Sequence, residues 1–282
     1  MLAIVARMEE KRRQLLLKTV RGNNFRRAMK AIAELRASSD AALLSAIAQA
    51  ATPDEQRKFQ VRLATVVLQN GIKGLVDEWA TLGNAQWRAE LISEIGQFVD
   101  PWFDKEIIEL VLVALNDSDR QVQVKAVWAL LAYLREPSDK EKRAVKSASQ
   151  RRFLDGAATV RGWITPTERS RMTQLLSVML ERHGQTPYPV LPQIVETLGY
   201  TACKTNQTAI ELLEALSNHA GEPYRVSYET VDAPNFAWFE RLVTEKNGIA
   251  PKQITRIIHT PTGSLDKKLL ETALARIKSR EE

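Results

Sequence analysis

The sequence predicts an all-α protein, a stack of helical hairpins (an α-solenoid) followed by a less regular helical C-terminal part. Apolar residues recur at helical rather than strand spacing along almost the whole chain. Four similar segments begin at residues 25, 59, 87 and 122, each after a turn, and their separations of 34, 28 and 35 residues are typical of hairpin repeats. A lone hairpin cannot bury its apolar face, so stacking is needed to form a core.

Composition narrows the possible classes of function. The 282 residues are 44% apolar with a net charge of +6, which excludes intrinsic disorder as the main state. A single cysteine, Cys203, excludes an internal disulfide and a Cys-rich zinc site, so we expect a reducing, cytoplasmic location. No apolar run approaches the roughly 18 residues that cross a bilayer, so we predict no membrane span and no signal peptide. No phosphate-binding glycine loop is present.

Capping residues mark the helix starts in the first half of the chain. Thr52 and Thr165 each precede a proline and stand three residues before a glutamate, which predicts an N-cap with a capping box. Ser138 and Glu141 predict another capping box. Glycines stand where helices are expected to stop, at residues 22, 71, 83 and 184.

The C-terminal part begins at a proline-rich segment. Pro187, Pro189 and Pro192 interrupt the helical period, so we predict a solenoid over residues 1–184 and a helical part over residues 185–282, separate or continuous with it. Helices are expected there at about residues 190–202, 206–219, 234–247, 251–259 and 264–280. The last of them is predicted to close the fold through one apolar stripe, formed by Leu265, Leu269, Leu270, Ala273, Leu274 and Ile277.

One short segment has strand spacing instead. Residues 224–231 alternate between two faces, and an extended loop, a small hairpin or an edge strand would each fit. The loop is favoured, because a single strand lacks a partner in an all-helical chain.

The stretch Glu109–Leu134 resembles a HEAT repeat, with an apolar first helix, an Asn/Asp turn and a second helix. Its second helix carries the spacing V-x-x-x-A-x-x-A-L at Val122, Ala126, Ala129 and Leu130. The resemblance extends over residues 1–135, is clearest over residues 106–135, and leaves HEAT-like and armadillo-like pairs as alternatives.

The resemblance implies a right-handed superhelical stack whose second helices line a concave, partner-binding surface. Asp119 and Lys125 would belong to the ladder of acidic and basic side chains between repeats. The polar residues of the second helices are then the candidates for protein binding: Arg26, Lys30, Arg62, Arg88 and Gln123. The leading hypothesis is a non-enzymatic scaffold or adaptor that binds another protein there; the sequence leaves its oligomeric state open.

Little in the chain points to catalysis. The three histidines stand at expected helix ends without ligands at metal-binding spacing, so we predict no metal site, no cofactor and no catalytic residue. Trp87 and Trp128 fall on core positions of the repeat pattern.

The excess positive charge is concentrated in two segments, +7 over residues 1–36 and +4 over residues 136–184. A basic patch at the N-terminus comprises Arg7, Lys11, Lys18, Arg21 and Arg27. It supports the alternative hypothesis, a nucleic-acid-binding or base-processing protein, since helical-repeat folds include DNA glycosylases.

A set of aromatic residues is the remaining interface candidate, since aromatic side chains are enriched at protein interfaces. Its members are Tyr224, Tyr228, Phe236, Trp238 and Phe239.

Overall fold

The computed structural model describes residues 2–22, 24–36, 54–97, 104–145, 147–183, 188, 190–225 and 262–281. These residues form an all-α structure with one short two-stranded ladder. The helices are α1 (Leu2–Val20), α2 (Phe25–Arg36), α3 (Glu55–Asp77), α4 (Ala85–Gln97), α5 (Ile107–Leu115), α6 (Arg120–Leu134), α7 (Asp139–Ala144), α8 (Ala148–Trp163), α9 (Pro166–His183), α10 (Leu191–Thr201), α11 (Gln207–Ser217) and α12 (Lys267–Ser279); the strands are β1 (Pro223–Arg225) and β2 (Thr262–Ser264).

The chain forms two compact units, Met1–Met172 and Thr173–Glu282. The change from one unit to the other therefore falls within α9. The division after residue 184 that the prolines suggest stays a prediction.

Two of the predicted capping boxes are present. The Ser138 hydroxyl accepts from the Glu141 amide while the Glu141 carboxylate accepts from the Ser138 amide. Thr165 and Glu168 exchange the same pair of bonds at the start of α9. These reciprocal bonds satisfy amide groups that a helix start otherwise leaves unpaired.

Helix α3 differs from the sequence prediction at two positions, its N-cap and Gly71. Its N-cap is Asp54, whose carboxylate accepts from the Arg57 amide, and not Thr52, which lies outside the described residues. At Gly71 the helix kinks instead of stopping, because this residue takes a φ of 66° that glycine adopts without steric cost.

In the first unit α2, α4 and α6, which carry three of the four similar segments, pack in sequence order with α8, whereas the segment that begins at residue 59 lies in α3, outside this row. Helix α2 contacts α4, α4 contacts α6, and α6 contacts α8. On the other side, α1 contacts α3 and α3 contacts α5. Helix α4 approaches α6 closely at Gly96, where a Cβ atom would stand 2.7 Å from the Cβ of Ala129.

An aromatic stack joins three of these helices. The Trp87 ring of α4 lies 5.5 Å from Phe25 of α2 and 6.1 Å from Phe59 of α3, centroid to centroid. Trp87 is buried, as the sequence predicted. Stacked rings in this geometry add to the free energy already gained by burying apolar surface.

A buried polar cluster fixes the position of α4 against the turn between α5 and α6. The Asp117 carboxylate of that turn accepts two hydrogen bonds from Arg88 of α4, at 2.9 and 3.0 Å, and one from the Trp79 indole at 2.6 Å. The Asp119 amide donates to the same carboxylate, and the Gln123 amide group donates to the Asp117 carbonyl. We call these five residues the Asp117 cluster.

The cluster keeps Asp117 ionised inside the protein. Burial raises the pKa of this carboxyl, but the hydrogen bonds from Arg88, the Asp119 amide and Trp79 outweigh burial and hold the pKa below its ordinary value. Arg88 also donates to the Gly83 carbonyl at 2.7 Å, so the guanidinium is bonded on two sides.

The second unit is organised around α12. This helix packs on α10 and α11 through Leu270, Ala273 and Ile277, as its predicted apolar stripe requires. Helix α10 approaches it closely at Gly199, where a Cβ would lie 3.0 Å from the Cα of Ala273. Arg280 then donates to the carbonyls of Tyr200 and Ala202, which satisfies the C-terminal end of α10.

The extended segment has a partner within the chain. Tyr224 and Arg225 pair antiparallel with Gly263 and Thr262 in the β1–β2 ladder. The loop favoured by the sequence is therefore wrong for these two residues, because a strand some 40 residues later supplies the missing hydrogen bonds. Residues 226–231, and the helices expected at residues 234–247 and 251–259, lie outside the described residues.

The described residues contain neither a membrane-spanning helix nor a cluster of metal-ligating side chains. No helix there is long and apolar enough to cross a membrane. No group of three His, Cys, Asp or Glu side chains in the same part of the chain is arranged to hold a metal ion.

We predict that Asp117→Asn lowers the free energy of unfolding by about 3–5 kcal/mol, because it leaves the buried Arg88 without its counter-charge. Glu109→Gln is the matched control, since the Glu109–Arg171 pair is exposed and its loss should cost about 0–1 kcal/mol. Urea denaturation of both variants measures the difference. Equal losses would contradict a special role for the Asp117 cluster.

The same carboxylate should make stability depend on pH. Because its pKa is lower in the folded than in the unfolded chain, its contribution is complete above the ordinary aspartate pKa and is lost as the pH falls below it. We expect the free energy of unfolding to fall less steeply with decreasing pH in Asp117→Asn than in the wild type. Denaturation curves across the acidic range test this, and parallel slopes would argue against it.

Candidate functional site

A groove in the first unit runs between α4, α6 and α8 and encloses about 590 Å³. Its apolar lining residues are Ile92, Gly96, Trp128, Ala129, Ala132 and Phe153. Its polar lining residues are Ser93, Gln97, Lys125 and Gln150. A concave, mostly apolar surface with a few polar groups is typical of a binding site.

Trp128 is the most unusual residue of this groove. Its relative exposure is 49%, although the repeat pattern places it in the core. That prediction is wrong because Trp128 follows Gln121 by seven residues and Lys125 by three, which puts it on the polar stripe of α6. The spacing from these two polar residues was the sequence signal that could have identified the groove.

Lys125 stands beside Trp128 on the same face of α6. Its ammonium group makes no ion pair or hydrogen bond with another described residue. Asp119, its partner in the ladder that the HEAT resemblance implies, instead caps α6 by accepting from the amides of Gln121 and Val122. The acidic–basic contact between successive helical pairs is made by Asp117 and Arg88.

Arg26 lies at the edge of the groove. Its Nε is 3.1 Å from both carboxylate oxygens of Glu94, and its Nη2 donates to Gln97 at 2.8 Å. Burial raises the pKa of the Glu94 carboxyl above its ordinary value, and the Arg26 guanidinium opposes this rise without cancelling it. Lys30 of the same helix also acts electrostatically on Glu94.

The remaining predicted binding residues occupy different places. Arg88 and Gln123 are only 8% and 7% exposed and bond within the Asp117 cluster. The prediction that they bind a partner is therefore wrong, because their polar groups are already used inside the protein. Arg62 is half-exposed and pairs with Glu78 beyond the groove. Of the five candidates, Arg26 is therefore the one that bonds to a residue lining the groove, Gln97, and Lys30 lies one turn further along α2.

Two residues of the predicted basic patch share a second, shallower cavity. Lys18 and Arg21 line it together with Arg57 of α3, and it encloses about 460 Å³. Lys11 and Arg27 are exposed, whereas the side chain of Arg7 lies outside what the structure describes.

The predicted aromatic set is placed only in part. The backbone of Tyr224 lies in β1. Tyr228, Phe236, Trp238 and Phe239 lie outside the described residues.

Comparison with known proteins adds no assignment: no family model matches this chain, and no curated protein matches it.

We predict that Arg26→Ala raises the pKa of Glu94 further, because it removes the cation that opposes the effect of burial. Since the folded state then holds the Glu94 proton more tightly, more stability should be lost as the pH rises through that pKa. Carbon-13 NMR titration of the glutamate carboxyls measures the shift. Arg27→Ala is the control on the same helix, and an equal shift in both variants would contradict a direct Arg26–Glu94 interaction.

Proposed function

We propose that this protein is a non-enzymatic scaffold or adaptor that binds a segment of another protein in the groove between α4, α6 and α8. The observation that carries the proposal is the exposed indole of Trp128 within a concave, mostly apolar surface. Tryptophan is enriched among the residues that contribute most to protein–protein affinity, and such residues lie in pockets that exclude water.

We also propose that the first unit is a HEAT-like, right-handed solenoid. The consecutive contacts of α2, α4, α6 and α8 support this, as do those of α1, α3 and α5, since stacked hairpins produce two such rows. In this arrangement the row that contains the groove is the concave, partner-binding face.

The chemistry of the groove favours an acidic segment with an apolar anchor. Trp128 and Phe153 offer apolar and aromatic surface for a large side chain. Among the described residues, Lys125 is the one charged residue that lines the groove, and none of them pairs with its ammonium group. A carboxylate spaced to reach Lys125 while an apolar neighbour contacts Trp128 would satisfy both.

We predict that Trp128→Ala weakens binding of such segments, with a loss of about 2 kcal/mol or more in binding free energy. Peptides selected from a displayed random library on the wild-type protein should be enriched in an apolar residue near Asp or Glu. Calorimetry on the selected peptides measures their affinity for each variant.

Leu15→Ala is the matched control, because Leu15 is also a large exposed apolar residue but lies on α1. It should leave peptide affinity unchanged. Peptides that bind wild type and Trp128→Ala equally, or a selection that yields no enriched sequence, would overturn the proposal.

A second candidate function, nucleic-acid binding, is favoured by the cavity that Lys18, Arg21 and Arg57 line. Binding there should weaken with salt by a log–log slope of about −0.9 for each duplex phosphate neutralised. Duplex DNA titrations at several salt concentrations, on wild type and Lys18→Glu, separate this function from the first. Lys18→Glu should weaken DNA binding and leave peptide binding intact.

A further inference from the structure

Another cavity of the first unit, distinct from the groove and from the cavity at Lys18, lies between α7 and α8 and encloses about 800 Å³. Its charged lining residues are Glu136, Lys142, Arg143, Arg151, Asp155 and Arg161. Four cations therefore face two carboxylates, in the segment of the chain that carries the second excess of positive charge. The volume falls within the range of small-molecule sites, about 300–1,000 Å³. We call this cavity the α7–α8 cleft.

Most of the positive charge in the cleft is not neutralised. The guanidinium groups of Arg143 and Arg151 make no ion pair or hydrogen bond with another described residue. Lys142 is 3.8 Å from Asp139, and the side chain of Asp139 is largely exposed, so this ion pair is weak. The cleft thus concentrates cations whose counter-charge is not supplied by the described part of the chain.

Arg161 gives an independent indication that a ligand group is missing. Its side chain is 17% exposed, and its Nη1 is 3.3 Å from the exposed carboxylate of Glu136. Its Nε is shielded from solvent, and none of the described residues accepts a hydrogen bond from it. A buried donor without an acceptor is unfavourable, and a small rotation of the guanidinium toward the cleft would present it to an anion.

Two arginines of α8 stand far enough apart to bind separate groups of one ligand. Arg151 and Arg161 are ten residues apart, so their Cα atoms are separated by about 15 Å along the helix axis, and their long side chains can reach toward two phosphates that lie closer together. Asp155 lies between them and would repel a continuous run of phosphates, but it can accept hydrogen bonds from hydroxyl groups. Leu154 and Val145 add apolar surface to the same cleft.

We propose that the α7–α8 cleft binds a small ligand with two separated phosphate groups and hydroxyls between them, of the class of nucleoside or sugar bisphosphates. Arg151 and Arg161 each bind one phosphate, since a guanidinium matches phosphate oxygens in a bidentate geometry. Lys142 and Arg143 of α7 close over the ligand, and Asp155 accepts from its hydroxyls. This site is separate from the groove that contains Trp128, and the inference does not rest on the proposed function.

The test is calorimetric titration of the full chain with a nucleoside 3′,5′-bisphosphate, the unphosphorylated nucleoside, inorganic phosphate and a single-stranded oligonucleotide. The bisphosphate should bind, the nucleoside should not, and inorganic phosphate should bind more weakly. Arg151→Glu should weaken bisphosphate binding about tenfold or more, the effect of losing a charge-assisted contact. Arg152→Glu is the matched control, because it makes the same charge change one residue away and Arg152 does not line the cleft.

Several outcomes would overturn the proposal. They are an equal loss in Arg151→Glu and Arg152→Glu, no binding of the bisphosphate by wild type, and tighter binding of the oligonucleotide than of the bisphosphate. If Arg151→Glu does not fold, Arg143→Ala on the exposed helix α7 replaces it, with the same expected direction. Trp128→Ala should bind the bisphosphate as wild type does, which separates failure here from failure of the proposed groove.

Discussion

The ion pair between Arg88 and Asp117 is the interaction on which the first unit depends. Apolar packing between helices is non-directional and tolerates small sliding movements, whereas the Asp117 carboxylate accepts bonds from fixed donors on α4, on the turn at Trp79 and on its own loop. These bonds are strong because the carboxylate stays ionised away from water. They set the register in which α4 meets α6, and that register brings Gly96 against Ala129.

The groove is a direct consequence of that register. With α4 held close to α6, the apolar faces of both helices are used in the core, and the stripe of α6 that carries Lys125 and Trp128 is left toward α8. Because α6 is apolar around most of its circumference, Gln121 and Lys125 mark this stripe only weakly in the sequence, and the neighbouring helices determine which side of α6 is buried. The exposure of Trp128 therefore results from the way in which the neighbouring helices pack on α6.

Two surfaces of the same unit differ in how they would select a ligand. The groove offers aromatic area and one lysine, so affinity there comes mainly from desolvated apolar contact. The α7–α8 cleft offers four guanidinium and ammonium groups against two carboxylates, so affinity there comes from charge. Both are built on α8, whose opposite margins take part in the two surfaces.

The sequence by itself determined the helical class, the capping boxes at Ser138 and Thr165, the burial of Trp87 and the apolar stripe of α12. Each of these depends on residues within a few turns of one helix, where spacing along the chain reflects spacing in space. Only the tertiary structure decided that Arg88 and Gln123 are buried, that Asp117 pairs with Arg88 while Asp119 caps α6, that Trp128 is exposed, and that β1 finds its partner in β2. Those outcomes depend on contacts between residues that are distant in the chain, and a single sequence carries no measure of which distant residues meet.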